Sequence, residues 1–235
     1  MKNIIIASTS TIHGSDYLEY ILDELNVFFK NANTILFIPY ARPGGISHDE
    51  YTQRVKSAFE KIDKSVKGIH EFENPVEAVT NAEAIFTGGG NTFVLTYQLY
   101  KNNLITPLQT AIHNGTPYLG TSAGSNICGL TINTTNDMPI VYPPSFKALA
   151  LVPFNINPHY LDPDTSSTHM GETRETRIKE FHHYNPQPVI GLREGSWLLV
   201  QNNSILLKGI LSARIFEYNK LPYEVASGTE LNHLK

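Results

Sequence analysis

Four short runs constrain this chain more than any other feature: Ile4 to Ala7, Ile35 to Ile38, Ala84 to Thr87 and Pro117 to Gly120. None shows the polar–apolar alternation of a half-exposed strand, and Ile4 to Ala7 and Ile35 to Ile38 are continuous apolar runs of the kind that strands buried on both faces show. Between them the period becomes helical. Ser15 to Lys30 carries Leu18, Ile21, Leu22, Leu25, Phe28 and Phe29 at helical spacing, with Ser15 or Asp16 as cap. Glu50 to Ile62, Thr92 to Tyr100 and Leu104 to Asn114 read as further helices, and Gly68 to Phe72 as another strand. Such alternation predicts an α/β fold, a mostly parallel sheet with helices on both faces.

The second half differs. Thr131 to Pro158 is rich in Thr, Asn and Pro and reads as loops and short strands at the edge of the sheet. Gly171 to His183 reads as the last helix, stopped before Asn185-Pro186. Val189 to Leu192, Trp197 to Gln201, Ser204 to Leu207 and Ala213 to Tyr218 read as short closing strands, with Asn202-Asn203 as a hairpin turn. No repeat or linker divides the 235 residues, and an apolar content of 41% suits one sizeable core, so residues 1–235 are expected to form a single domain.

Charge and cysteine content narrow the function. A net charge of -4 offers no basic footprint for nucleic acid. The lone Cys128 excludes an intrachain disulfide and fits a reducing compartment. The apolar start ends at Ser8-Thr9-Ser10-Thr11, too early for a secretion signal or a membrane span. A cytoplasmic protein without a membrane partner is the expectation.

The sharpest local signal is Gly120-Thr121-Ser122-Ala123-Gly124, a G-x-S-x-G sequence directly after a strand. A strand-to-helix turn of this kind strains its middle residue and projects the hydroxyl at the carboxyl edge of the sheet. The Ala123 amide then stands ready to donate to an oxyanion. Thr87-Gly88-Gly89-Gly90-Asn91-Thr92 also ends a strand, and three glycines there imply bare, close-approaching amides. It has neither the G-K-[ST] ending of a P-loop nor G-x-G-x-x-G spacing, so a second oxyanion donor, at Gly89, is the expected use.

A serine nucleophile needs a base, and nine histidines compete. His48, His113 and His233 read as surface residues and His70 as structural, while adjacent His182 and His183 point to different sides of a helix. No metal site is expected from that spacing, and no cofactor motif stands out. His13 and His169 fall in loops that could border a cleft. His159, in Asn157-Pro158-His159-Tyr160, is held by the preceding proline and leads. Two acids could orient it: Glu194 in Gly191-Leu192-Arg193-Glu194-Gly195, and Asp137 in Asn136-Asp137-Met138-Pro139.

Together, Thr87 to Phe93, Gly120 to Asn126, Thr134 to Ile140, Asn157-Pro158-His159 and Gly171-Glu172-Thr173-Arg174-Glu175 resemble peptidase E, the aspartyl dipeptidases of serine peptidase family S51. The resemblance runs from the first strand to about Trp197. It implies a fold like the class I glutamine amidotransferases, with Ser122 where those enzymes carry cysteine. It further implies Ser122 as nucleophile and His159 as base. For the third member the family offers the positions of Asp137 and Glu194; the order Ser, His, Glu of the amidotransferase relatives favours Glu194. The implied reaction is acyl transfer from small Asp-Xaa dipeptides, with Gly89 and Ala123 holding the oxyanion. An aspartate side chain needs a cation, for which Arg174 is the choice. A cyanophycinase-like hydrolase of β-aspartyl peptides and a non-catalytic anion-binding module are the rival readings.

Overall fold

The structure, a computed structural model, describes residues 2–164, 166, 168 and 170–234. In chain order the strands are β1 (Asn3–Ala7), β2 (Thr34–Ile38), β3 (Ser65–Gly68), β4 (Ala84–Thr87), β5 (Tyr118–Thr121), β6 (Asn155–Pro158), β7 (Val189–Leu192), β8 (Ser196–Gln201), β9 (Ser204–Gly209), β10 (Ala213–Phe216) and β11 (Tyr223–Val225). The helices are α1 (Leu22–Phe28), α2 (His48–Phe59), α3 (Pro75–Thr80), α4 (Thr92–Lys101), α5 (Ile105–His113), α6 (Ala123–Asn126) and α7 (Arg174–Phe181).

The main sheet has the order β3-β2-β4-β5-β1-β8-β9. Its first five strands pair in parallel, and β8 and β9 close it antiparallel. A second sheet, β11-β10-β7-β6, is antiparallel except where β6 pairs β7. The missing alternation in β1 and β2 follows from burial on both faces. Ile4, Ile6, Leu36 and Ile38 pack with Leu95, Leu108 and the second sheet's Ile156 and Ile190. Ile5, Ala7, Ile35 and Phe37 pack on the other face with Leu25, Tyr51, Val55 and Phe59. Each fully buried side chain of this size stabilises by roughly 1.5–3 kcal/mol.

Local chemistry sets the ends of several helices. Ser47 forms a capping box on α2 with Glu50, its hydroxyl accepting from the Glu50 amide at 3.1 Å. Thr173 caps α7 by accepting from the Thr176 amide at 3.1 Å.

Three expected elements differ. The helix expected over Ser15 to Lys30 begins only at Glu19, with a 3₁₀ turn to Ile21 and then α1. The cause is Leu18, left-handed at φ 60, whose amide donates to Ser10 O at 2.7 Å and folds residues 8–18 into a loop. The strand expected over Gly68 to Phe72 ends at Gly68, where Ile69–Glu71 turn into a 3₁₀ helix closed by Glu71 accepting from the Gly68 amide. The last helix is shorter than Gly171 to His183, starting at the Thr173 cap.

Candidate active site

β5 delivers Ser122 at φ 55, ψ -112, a left-handed conformation that a non-glycine residue adopts only under strain. The surroundings hold it there. The Ser122 amide donates to Ala7 O, and Ser125 Oγ, fully buried, lies 2.5 Å from Ala7 O and 2.7 Å from Gly120 O. The turn needs a bare residue after it: a methyl group on Gly124 would sit 2.2 Å from Thr87 O, at the end of the neighbouring strand.

His159 comes from the other sheet, at the end of β6, and is itself left-handed at φ 53. Its amide donates to Ser8 Oγ at 2.9 Å, and the same hydroxyl donates to Leu192 O at 2.7 Å. Ser8 thus ties the end of β1 to both strands beside the imidazole. From below, Asn136 donates to Pro158 O and Asn157 donates to Thr134 O and to Asn136 Oδ1. The Thr134–Asn136 stretch is therefore the footing of His159.

The three groups meet in line. Ser122 Oγ is 2.9 Å from His159 Nε2, and His159 Nδ1 is 2.6 Å from Glu194 Oε1. A carboxylate only accepts, so Nδ1 carries the proton and Nε2 is left to accept from the serine hydroxyl. Glu194 stands just after β7, and its neighbour Arg193 anchors that corner. The Arg193 guanidinium donates to both oxygens of Asp162, to Glu224 and to Ser212. Hydrogen bonds from Arg193 first, then Ser212 and Arg214, hold the Glu224 carboxyl down at about 2.

Asp137, the rival acid, is engaged elsewhere. Its Oδ2 accepts from the Thr92 amide at 2.7 Å and from Thr135 Oγ1 at 3.0 Å, at the start of α4. There the carboxylate satisfies an otherwise orphaned helix amide; no bond joins it to His159.

Gly89 also departs from expectation. Its α-carbon lies against Ser122, since a methyl there would sit 3.3 Å from Ser122 Oγ. Its amide, however, donates to the buried Tyr51 hydroxyl at 3.0 Å, which in turn lies 3.2 Å from Gly89 O. The donor expected to face an oxyanion is therefore used by α2. Gly90, at φ 144, follows, and its amide has no hydrogen-bond acceptor among the described residues; the same holds for Ala123.

Arg174 opens α7 half-buried and makes no ion pair among the described residues. Glu175, the obvious neighbour to neutralise it, is taken by Lys179 at 2.6 Å and Arg214 at 2.8 Å. Burial lowers the Arg174 pKa, the Arg177 cation adds to this and the Asp137 carboxylate opposes it.

His169 lies outside the described residues. Sequence reasoning passed over Ser8 and Tyr51. The signal for Ser8 was a small polar residue closing a buried strand; for Tyr51 no local signal exists, since its acceptor and donor lie far along the chain.

The model of peptidase family S51 matches residues 4–208. A peptidase E of Streptomyces coelicolor is 47% identical over 232 residues, spanning 99% of this chain and 94% of that protein. A probable alpha-aspartyl dipeptidase of Drosophila melanogaster is 46% identical over 236 residues, spanning 99% and 97%. Among solved structures, a peptidase from an acI-B1 Actinobacterium superposes with a TM-score of 0.73 over 98% of this chain and 96% of its own, at 15% identity. That last likeness concerns the fold.

Proposed function

Since the chain belongs to peptidase family S51, we propose that it is a serine dipeptidase that releases an N-terminal aspartate from Asp-Xaa dipeptides. The observation that carries this reading is the unbroken line Ser122–His159–Glu194, at 2.9 and 2.6 Å. Ser122 Oγ attacks the carbonyl carbon of the aspartyl residue as His159 Nε2 takes its proton. Glu194 orients the imidazole and stabilises the cation that forms. His159 then gives the proton to the leaving amine, the C–N bond breaks, and an aspartyl ester remains on Ser122. Water, deprotonated by the same imidazole, releases aspartate and restores the serine.

The oxyanion is held by the Ala123 amide and, in place of Gly89, by the Gly90 amide. Each such donor is typically worth about 3–4 kcal/mol in the transition state. Arg174 receives the substrate's side-chain carboxylate. Asp137 serves the same pocket from behind, fixing the start of α4 and opposing the Arg174 charge. The nucleophile comes from one sheet and its base from the other, so the whole chain works as a single peptidase domain. No helix among the described residues is long and apolar enough to cross a membrane; the reading adds a cytoplasmic setting.

A panel of Asp-Leu, β-Asp-Leu, Glu-Leu and Ala-Leu tests the reading. Turnover of Asp-Leu well above the other three is expected. Preference for β-Asp-Leu, or hydrolysis of none, would overturn it.

A further inference from the structure

An Asp-Xaa dipeptide carries two carboxylates, and Arg174 answers only one. Of the six arginines, Arg177, Arg193 and Arg214 are paired with acids, whereas Arg42, Arg54 and Arg174 have no ion-pair partner among the described residues. Arg54 lies within α2 and is exposed. Arg42 stands at the carboxyl end of β2, on the edge of the sheet that carries Ser122.

Backbone contacts bring Ala41, the residue before Arg42, against the glycine loop. The Asn91 amide donates to Ala41 O at 2.7 Å, and a methyl group on Gly90 would sit 2.3 Å from that oxygen. Residue 42 therefore leaves the chain next to the glycine loop that flanks Ser122. Its guanidinium carbon lies 5.4 Å from the ring centroid of Tyr51, whose hydroxyl bonds both ends of Gly89. It is also near Tyr17: burial raises the Tyr17 pKa, Tyr51 adds to this, and the Arg42 cation opposes it. Tyr17 and Tyr51 pack in the core on one face of the sheet. Asp137, which acts on the Arg174 charge, binds α4, whose Leu95 and Leu99 pack on the other. Arg42 thus stands on the Tyr51 side of the glycine loop, away from the α4 side where Asp137 binds.

We infer that Arg42 binds the α-carboxylate of the leaving residue and so selects dipeptides over longer or C-terminally blocked chains. This rests on the dipeptidase reading above. That carboxylate lies within roughly 4 Å of the scissile carbonyl carbon, by ordinary bond lengths. A carboxylate that near the scissile bond falls to a guanidinium seated beside the glycine loop next to Ser122. The guanidinium offers a planar fork matched to a carboxylate, and stacking on Tyr51 leaves its N–H groups unused.

The test compares kcat/KM for Asp-Leu and Asp-Leu amide, whose terminus is uncharged, in the wild type, Arg42→Met and Arg42→Lys. The wild type should favour Asp-Leu by about 10- to 50-fold, the lower part of what charge-assisted pairs give, because Arg42 is exposed. Arg42→Met should raise KM for Asp-Leu and bring the two substrates to near parity; Arg42→Lys should restore part of the gap. A wild type that treats both alike overturns the role of Arg42 while leaving the dipeptidase reading intact. So does an Arg42→Met enzyme that keeps the wild-type ratio. If the wild type cleaves neither, the dipeptidase reading falls and takes this one with it.

Discussion

Replacing Glu194 by glutamine removes one negative charge from the imidazole and nothing else of comparable size. The carboxylate oxygen lies 2.6 Å from His159 Nδ1, but the Glu194 side chain is 51% exposed and that of His159 36%. Two unit charges at about 4 Å attract by about 1 kcal/mol in water and about 4 kcal/mol at an effective dielectric of 20. A half-exposed pair falls between these limits. The orienting hydrogen bond adds its own contribution, since an amide turned nitrogen-first would favour the wrong tautomer. Together these give about 2–4 kcal/mol, or roughly 30- to 1,000-fold in kcat. That is milder than the roughly 10⁴-fold expected of a buried triad acid. Asp137→Asn should behave differently. An asparagine oxygen can still accept from the Thr92 amide, so the cap survives, and the lost charge acts through Arg174 on KM. Steady-state kinetics on Asp-Leu with both variants reads the two effects separately. A silent Glu194→Gln beside an Asp137→Asn whose kcat collapses would refute the assignment.

Arg174→Met should lower kcat/KM for Asp-Leu by about 30- to 150-fold, the worth of a charge-assisted pair. Asn-Leu should lose far less, and equal losses for both substrates would move the specificity cation elsewhere. Gly124→Ala places a methyl group 2.2 Å from Thr87 O, a backbone atom that cannot step aside. A destabilisation of about 1–3 kcal/mol is expected from such overpacking, read as a fall in Tm; an unchanged Tm would contradict the packing at the turn. The Glu224 carboxyl is depressed from 4.5 to about 2 when folded. Its contribution is therefore fully present above pH 4.5 and lost as the pH falls toward 2. The Tm gap between wild type and Glu224→Gln should narrow over that window, and a gap constant with pH would count against the Arg193 network.

Ser122 and His159 were legible as candidates because each sits in a short local pattern: a serine in a glycine-flanked turn and a histidine after proline. The parallel sheet was legible for a similar reason, since burial on both faces leaves its mark in Ile4 to Ala7 and Ile35 to Ile38. What stayed hidden was decided at a distance. That the Gly89 amide is taken by a hydroxyl depends on Tyr51, 38 residues away. The shortened first helix depends on Leu18 bonding back to Ser10, against a periodicity that favours helix throughout. Nothing local distinguishes Asp137 from Glu194 as an acid; the start of α4 claims one, and the imidazole the other. Helix α3 was passed over although Asn74 and Pro75 form a readable cap, its six residues being too few to show a period.

Ser122→Ala tests the central chemistry most directly. The change deletes one oxygen at a turn that small residues fit, so the protein should fold with an unchanged circular dichroism spectrum and a Tm close to wild type. Hydrolysis of Asp-Leu should fall by roughly 10⁴- to 10⁶-fold, as when a member of a triad acting as a unit is removed. Turnover near the wild-type rate in a pure preparation would place the nucleophile elsewhere in the molecule.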